Sequence, residues 1–314
     1  MKKILIALAI VAVFLVAGSY FFIPKNLKIA TVLTYQTNGN GLFRFLTKED
    51  NWKKWWPGSV SDSQNEKKVF TYSGYEMRIE KILYHAFELN FTKDNQPITG
   101  ILKVVALGTD SAQLEIDTEM DAGTNPVKRI LNYFQARKIK TLFDNMLLAI
   151  KTHTDSVKEL YDFEIVSEKV QMQHLLSASK TFSHYPTTEE IYSLVDFVRG
   201  YINKTDGKEE FSPMLNIETS DSISYLVRVG LPVNKQLPET KDITAKQMVK
   251  NGNILATEVT GDLKAINEAM QQFEKFISDN QRSIIAIPFQ SLITDRRKDP
   301  DSTKWVTKIY YPVI

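Results

Sequence analysis

The stretch Tyr225–Val233, YLVRVGLPV, is matched near the end of the chain by Trp305–Val313, WVTKIYYPV. Aligned position by position, an aromatic residue matches an aromatic residue, Arg228 matches Lys308, and both stretches end in Pro-Val. Both are predicted to be β-strands. A repeat of this kind predicts two copies of one structural unit in the second half of the chain.

An amphipathic helix precedes each of the two stretches. The helices are predicted over about 187–204 and about 262–279, because apolar residues recur there at helical spacing. The strand-like segments Leu175–Phe182 and Ile254–Thr260 come before them. The order predicts a duplicated strand–helix–strand–strand α+β domain over residues 158–314, with both helices packed on one sheet.

This region resembles the GyrI-like family, which is also the effector-binding domain of some AraC- and MerR-type regulators. The residues that carry the resemblance are the helix entry Val259–Leu263, VTGDL, and the final strand Trp305–Val313. The resemblance covers roughly 160–314 and implies a pocket for lipophilic, often cationic, ligands around a buried glutamate on the last strand. Lys308 occupies the matching position, which favours an anionic ligand. Some relatives are hydrolases that depend on acidic and tyrosine groups, and the lysine counts against that activity.

Arg228 and Lys308 are the leading candidates for ligand binding. Both fall in mid-strand at equivalent positions, so they are expected to face each other across a pseudo-twofold axis. Two cations on a pocket floor attract a carboxylate or phosphate; the alternative is that both point to solvent. Glu258 is a candidate counter-charge. The candidate apolar walls are Tyr225, Trp305, Tyr310 and Phe289.

Residues 27–155 combine alternating strands with one long helix. The segments Tyr75–Glu80 and Leu114–Met120 alternate apolar and polar residues, which predicts an antiparallel sheet with one wet face. Asn125-Pro126 is typical of a helix start, and the helix is predicted to run from 126 to about 154. Its predicted apolar stripe comprises Val127, Ile130, Leu131, Phe134, Leu142, Phe143, Met146 and Ile150.

This order of elements, with Trp55-Trp56-Pro57 and Asn125-Pro126, resembles the SRPBCC superfamily of START-like and polyketide-cyclase-like domains. The resemblance implies a helix-grip fold, in which a curved sheet holds the long helix and leaves a cavity between them. Trp55 and Trp56 are candidates to line the mouth of that cavity. The alternative is that they pack at the end of the sheet.

The first 24 residues form a separate segment. Ile4–Ile23 contains 20 residues without a charge, and a helix of that length covers about 30 Å, the thickness of a bilayer core. Lys2 and Lys3 precede it and Pro24 ends it. The segment predicts an uncleaved transmembrane helix, and the rival interpretation is a cleaved signal peptide. The prediction is therefore a single-pass protein of the cell membrane, anchored by residues 4–23, with domains at 25–157 and 158–314 on the non-cytoplasmic side.

Composition excludes several classes of function. The 314 residues include no cysteine, which removes disulfides, thiolate nucleophiles and Cys-ligated metals. Without Lys2 and Lys3, 37 basic residues balance 37 acidic ones, so no basic footprint for nucleic acid is present. The four histidines lack the spacing of a zinc site. We therefore expect no metal, no cofactor and no nucleic-acid partner.

Three hypotheses follow for the whole chain. The first is a membrane-anchored, non-enzymatic protein that binds small hydrophobic or amphipathic molecules in pockets of its two domains. The second is a hydrolase or cyclase acting on a hydrophobic small molecule, with Glu258 or a tyrosine as general acid or base. The third is a structural envelope protein with filled cores and no cavity.

Overall fold

The computed structural model of the chain describes residues 16–62, 68–154, 156–220 and 223–314. Its fold class is α+β, with two antiparallel sheets, as the alternating segments predict. The chain divides into two units, Met1–Leu160 and Tyr161–Ile314, and each unit contains one of the sheets.

The first unit is a seven-stranded antiparallel meander with helices. Its sheet has the order β1-β7-β6-β5-β4-β3-β2. The strands are β1 (Asn26–Tyr35), β2 (Ser59–Asp62), β3 (Lys68–Tyr72), β4 (Tyr75–Leu83), β5 (Ala86–Lys93), β6 (Gln96–Ala106) and β7 (Ala112–Asp121). The helices are α1 (Gly39–Thr47), α2 (Glu49–Trp55), α3 (Pro126–Thr154) and, at the boundary of the unit, α4 (Val157–Tyr161).

Helix α3 has the bounds that its sequence predicts, but only part of its predicted stripe is buried. Leu142, Phe143 and Met146 are at most 3% exposed and pack in the core of the unit. Val127 and Phe134, in contrast, are 64% and 55% exposed. The apolar stripe is therefore exposed in the first turns of the helix and buried in its later turns.

The structure contradicts the predicted transmembrane helix. None of the helices in the described residues has both the length and the apolar character needed to cross a membrane. Of the predicted span Ile4–Ile23, residues 4–15 lie outside the described residues. Residues 16–22 are helical, and the chain beside them is held to α3, because Arg129 Nε donates a hydrogen bond of 2.8 Å to the Ile23 carbonyl. The single-pass membrane localisation and the membrane partner depended on that helix and are corrected with it.

The second unit is an eight-stranded sheet with the order β12-β9-β11-β10-β14-β15-β13-β8. Its strands are β8 (Val166–Lys169), β9 (His174–Phe182), β10 (Met214–Ser220), β11 (Ser224–Val233), β12 (Thr244–Gln247), β13 (Asn253–Thr260), β14 (Phe289–Leu292) and β15 (Val306–Pro312). Its helices are α5 (Thr188–Ile202) and α6 (Leu263–Asp279).

The strand order of this sheet is that of two equivalent halves. The unit β9-α5-β10-β11 contributes the strands β9-β11-β10, and the unit β13-α6-β14-β15 contributes β13-β15-β14. The halves meet where β10 pairs antiparallel with β14, so a pseudo-twofold axis passes between these two strands. The short strands β12 and β8 extend the outer edge of each half in the same way.

Both helices cover the same face of the sheet. Val227 and Val229 of β11 pack with α5, and Tyr311 of β15 packs on Phe273 of α6 with ring centroids 4.7 Å apart. The opposite face has a smaller apolar cluster of its own, in which Met214 and Phe289 are 6% and 7% exposed. This helix-free face is where the cavity described below opens.

Candidate functional site

A cavity of about 220 Å³ opens on the helix-free face of the second sheet. Its wall is mainly apolar, and the side chains that form most of it come from both halves and from the segments that follow β12 and precede β14. They are Leu175, Met214, Met248, Ile287, Phe289 and Pro312. An apolar group buried here would release water from both surfaces. The free energy of binding would gain roughly 25 cal/mol per Å² of apolar area removed from water.

Two cations line this cavity. Arg228 projects from β11, and its Nη1 donates hydrogen bonds of 2.8 Å to Asn216 Oδ1 and 2.6 Å to Glu218 Oε2. Lys246 lies on the edge strand β12, opposite Leu175, and among the described residues it takes part in no ion pair within 4.0 Å. The lining residues include Ser177 and Asn216 but no carboxylate. The cavity therefore has a net positive wall.

The sheet register separates the two cations that the repeat predicts to be together. Gly230 lies opposite Met214, Met214 opposite Ser291, and Ser291 opposite Lys308. Arg228 lies two residues before Gly230, on the same face. Strands β11 and β15 are thus three strand spacings apart, about 14 Å, because β10 and β14 lie between them.

Lys308 forms an ion pair with Glu168 and does not line the cavity. Its Nζ lies 2.8 Å from Glu168 Oε1 on β8 and 5.3 Å from the ring centroid of Tyr310. Burial acts to lower the pKa of Lys308, but hydrogen bonds to Glu168 and Tyr310 outweigh it, and the pKa is raised above its usual value. Glu258 lies directly opposite Lys308 in the sheet register, and its side chain is exposed.

Phe289 and Tyr310 form the aromatic part of this face. Their rings are stacked with centroids 4.9 Å apart and planes inclined by 24°. Phe289 lines the cavity, whereas Tyr310 packs behind it in the same apolar cluster. Burial raises the pKa of the Tyr310 hydroxyl, and nearby Lys308 offsets part of that effect.

Tyr225 and Trp305 lie on the opposite face from Arg228. In a strand, alternate residues share a face, so Tyr225 points with Val227 towards α5, where its ring meets that of Tyr185 at 5.5 Å. The Trp305 ring lies 5.1 Å from the guanidinium of the buried Arg296. Neither ring lines the cavity.

Trp55 and Trp56 are packing residues of the first unit. They are 5% and 7% exposed, and their rings contact each other with centroids 5.6 Å apart. The Trp56 ring also contacts Phe70, and its Nε1 donates a hydrogen bond of 3.3 Å to the Thr71 carbonyl. These contacts hold the Trp56 ring against β3, and a role of the two tryptophans at the mouth of a cavity stays a prediction.

A second, larger cleft of about 560 Å³ lies in the same unit between α5 and the segment before β10. Arg199 lines it and binds Glu209 through two hydrogen bonds of 2.8 and 2.9 Å. Its lining residues also include Glu210 and Asp295. Because Glu209, Glu210 and Asp295 outnumber its single cation, the wall of this cleft carries a net negative charge and disfavours an anion. Among the described residues, no group of three His, Asp or Glu lies close enough together to hold a metal ion.

Sequence reasoning missed Lys246 and Asn216. Asn216 lies opposite Arg228 and holds its guanidinium, and Lys246 supplies the second positive charge. The repeat would have led to Lys246 if the comparison of the two halves had included the edge strands β12 and β8. Lys246 of β12 pairs with Leu175 of β9, and the equivalent pair is Glu168 of β8 with Ile254 of β13.

No family model matches the chain, and no curated protein matches it either. Solved structures do match parts of it. One is the EcmrR–DNA complex in EcmrR-RPo, at 15% identity and a TM-score of 0.42, covering 59% of this chain and 69% of that one. Another is the C-terminal domain of EcmrR, at 15% identity and a TM-score of 0.40, covering 48% and 98%. A third is SAV2435 bound to tetraphenylphosphonium, at 13% identity and a TM-score of 0.32, covering 48% and 94%.

The GyrI-like resemblance of residues 160–314 stays a prediction. The SRPBCC resemblance of residues 27–155 and the expectation of no nucleic-acid partner stay predictions.

Proposed function

We propose that residues 161–314 form a binding domain for a small amphipathic anion, with an apolar body and one negatively charged head group. The observation that carries the proposal is the apolar cavity whose wall bears Arg228 and Lys246 and no carboxylate. An apolar body would be buried against the methionine and aromatic side chains. The head group would bind the two cations at the wall.

The lining side chains suit such a ligand. Met214 and Met248 are flexible and polarizable, and they adapt to ligands of different shape. Arg228 is held by Asn216, so its guanidinium is oriented before the ligand arrives. Its other partner, Glu218, is 60% exposed, and an ion pair so exposed contributes little and is easily exchanged.

Binding without chemistry is favoured over the hydrolase or cyclase alternative. That alternative takes Glu258 or a tyrosine as general acid or base. Glu258 has an exposed side chain, and neither it nor any tyrosine is among the residues that line the cavity. A general base in this role needs to reach the bound substrate. The third hypothesis, a structural protein with filled cores, conflicts with the cavity.

The proposal is tested by isothermal titration calorimetry on the full chain with two matched pairs of probes. The anions are octanoate and 2-naphthoate, and the cations are octylammonium and 2-naphthylmethylammonium. We expect at least one anion to bind about tenfold more tightly than its matched cation, because it gains charge-assisted hydrogen bonds worth about 1.5–3 kcal/mol.

Three variants assign the binding to this cavity. Arg228→Gln and Lys246→Gln should each weaken anion binding, by about tenfold for Arg228→Gln. Lys308→Gln is the matched control, since it removes a cation of the same face that does not line the cavity, and its affinity should stay near that of the parent chain. Binding of neither anion, or equal losses in all three variants, would overturn the proposal.

A further inference from the structure

The pseudo-twofold axis relates the strand residues around the cavity to strand residues of the other half. The nonamer alignment equates Arg228 with Lys308 and Gly230 with Tyr310. The strand registers extend it outward, because Gly230 pairs with Met214 as Tyr310 pairs with Phe289. The remaining equivalences that the registers give are Leu175 with Ile254 and Lys246 with Glu168.

The second half has side chains where the first half has the cavity. Tyr310 occupies the position of Gly230, and its ring stacks on Phe289 with centroids 4.9 Å apart. Glu168 occupies the position of Lys246, and its carboxylate lies 2.8 Å from Lys308 Nζ. An aromatic ring, a cation and a carboxylate thus follow one another in contact across that half.

The first half lacks two of these three groups. It keeps the cation as Arg228, whose carboxylate partner is the exposed Glu218 of the neighbouring strand β10. Gly230 stands in place of the ring, and a second cation, Lys246, stands in place of the carboxylate of Glu168. A Cβ at Gly230 would lie 2.9 Å from Leu175 Cδ1, so Leu175 leans into part of the space that Tyr310 fills in the other half.

We infer that the ligand of this cavity is an aryl carboxylate, whose ring lies beside Leu175 and Met214 and whose carboxylate lies between Arg228 and Lys246. This inference rests on the function proposed above and names its ligand class. The ligand brings an aromatic ring and a carboxylate into the first half. In the second half, Tyr310 and Glu168 provide these two groups.

The size of the cavity agrees with this class. An apolar cavity of about 150 Å³ holds benzene, and this cavity measures about 220 Å³. It therefore accommodates one aromatic ring system with a short acidic substituent. Its volume lies below the range of about 300–1,000 Å³ that drug-sized ligands occupy.

The experiment compares 2-naphthoate with octanoate and with 2-naphthalenesulfonate by calorimetry on the full chain. We expect 2-naphthoate to bind at least about fivefold more tightly than octanoate, because an aromatic ring gains contact energy beyond its buried area. Binding of octanoate as tightly as 2-naphthoate would overturn the aromatic ring. Tighter binding of the sulfonate would overturn the carboxylate.

Two variants test the placement of the ring and the head group. Gly230→Ala pushes Leu175 into the ring position and should weaken 2-naphthoate about fivefold while leaving octanoate within about twofold. Lys246→Glu removes one of the two cations and places a second carboxylate near Arg228, at the position that Glu168 occupies beside Lys308, and should weaken 2-naphthoate by more than about tenfold. Gly200→Ala on α5 is the control for the glycine change, because its added Cβ meets no atom within 4 Å.

The outcomes separate the two proposals. If octanoate binds with dependence on Arg228 but 2-naphthoate gains nothing, the aryl carboxylate is wrong and the anion-binding function stands. If no anion binds, both fall. Lys246 is an exposed edge residue, so Lys246→Glu is expected to fold and keeps the test decisive even if Gly230→Ala unfolds the domain.

Discussion

Arg228 is the side chain on which the proposed binding depends, and it already has two partners in the folded chain. Asn216 is neutral and also donates a hydrogen bond of 3.0 Å to the Pro288 carbonyl, so it is fixed in place. Glu218 is charged, and it competes with an incoming anion for the same guanidinium. The first partner orients the arginine, and the second partly neutralises it.

Removing the competing carboxylate should therefore strengthen anion binding. We expect Glu218→Gln to raise the affinity for 2-naphthoate about threefold, the effect of an exposed ion pair worth a fraction of 1 kcal/mol. Calorimetry on the parent and variant chains measures it, with Glu258→Gln on the same face as the control. Weaker binding after Glu218→Gln would show that Glu218 supports the site rather than competes with the ligand.

The pair between Lys308 and Glu168 should make stability depend on alkaline pH. The pKa of Lys308 is raised in the folded chain because hydrogen bonds to Glu168 and Tyr310 outweigh the opposing effect of burial. A raised pKa means that the pair stabilises the fold in full below the pKa of the unfolded chain, about 10.4. The contribution is lost as the pH rises through the folded pKa.

Urea unfolding of the parent and of Lys308→Met measures this contribution. We expect the parent to be more stable by about 0.5–1 kcal/mol at pH 8, because the pair is partly exposed, and the difference to shrink towards pH 11.5. Glu168→Gln removes the same pair and should show the same profile. A difference that stays constant with pH would mean that Lys308 stabilises the fold by packing alone.

At the scale of the elements, the repeat predicts the helices and strands of the second unit better than it predicts the order of the strands in the sheet. The spacing of Ile191, Val195 and Val198 predicts α5, and these residues are buried against the sheet. The nonamers show which residues are equivalent. They do not show which strand of each unit lies at the pseudo-twofold axis, because a strand–helix–strand–strand unit can meet its copy through more than one edge. The halves meet through β10 and β14, and the expected neighbours Arg228 and Lys308 are separated for that reason.

The turn from α2 into β2 depends on a glycine for space, not for its backbone angles. A Cβ at Gly58 would lie 1.9 Å from the Thr71 carbonyl oxygen, which is backbone and cannot rotate away. That oxygen also accepts the hydrogen bond from Trp56 Nε1. Any side chain at this position must push β3 away from the tryptophan.

We expect Gly58→Ala to lower the free energy of unfolding of the first unit by about 2 kcal/mol, within the range for an overpacked site. Gly200→Ala is the matched change in α5, where the added methyl meets no atom within 4 Å. It should stabilise the second unit by up to about 1 kcal/mol, because alanine favours a helix over glycine. Urea unfolding followed by circular dichroism compares the two, and equal effects would contradict the steric argument.

At the scale of the whole molecule, the amino-acid composition does not reveal the positive charge of the cavity wall. Beyond Lys2 and Lys3 the chain carries equal numbers of basic and acidic residues, and many of the charges in the described residues lie in ion pairs. The positive wall of the cavity arises because the fold brings Arg228 and Lys246 to one place. These residues are 18 positions apart in sequence and on different strands, so only the register reveals them. Composition thus failed to show a feature that is present. The apolar run near the N-terminus had the reverse effect, because its hydropathy predicted a membrane-spanning helix that the described residues do not contain.

All residues that line the proposed binding cavity belong to one unit. The lining runs from Leu175 to Pro312, within Tyr161–Ile314, and this unit has its own buried core. A chain of this size buries enough apolar surface to fold alone. We therefore expect a fragment of residues 161–314 to unfold cooperatively in urea and to bind 2-naphthoate within about threefold of the full chain. A fragment of residues 16–160 should fold without binding the probe. If residues 161–314 fold but do not bind 2-naphthoate while the full chain does, the assignment of the binding to this cavity is wrong.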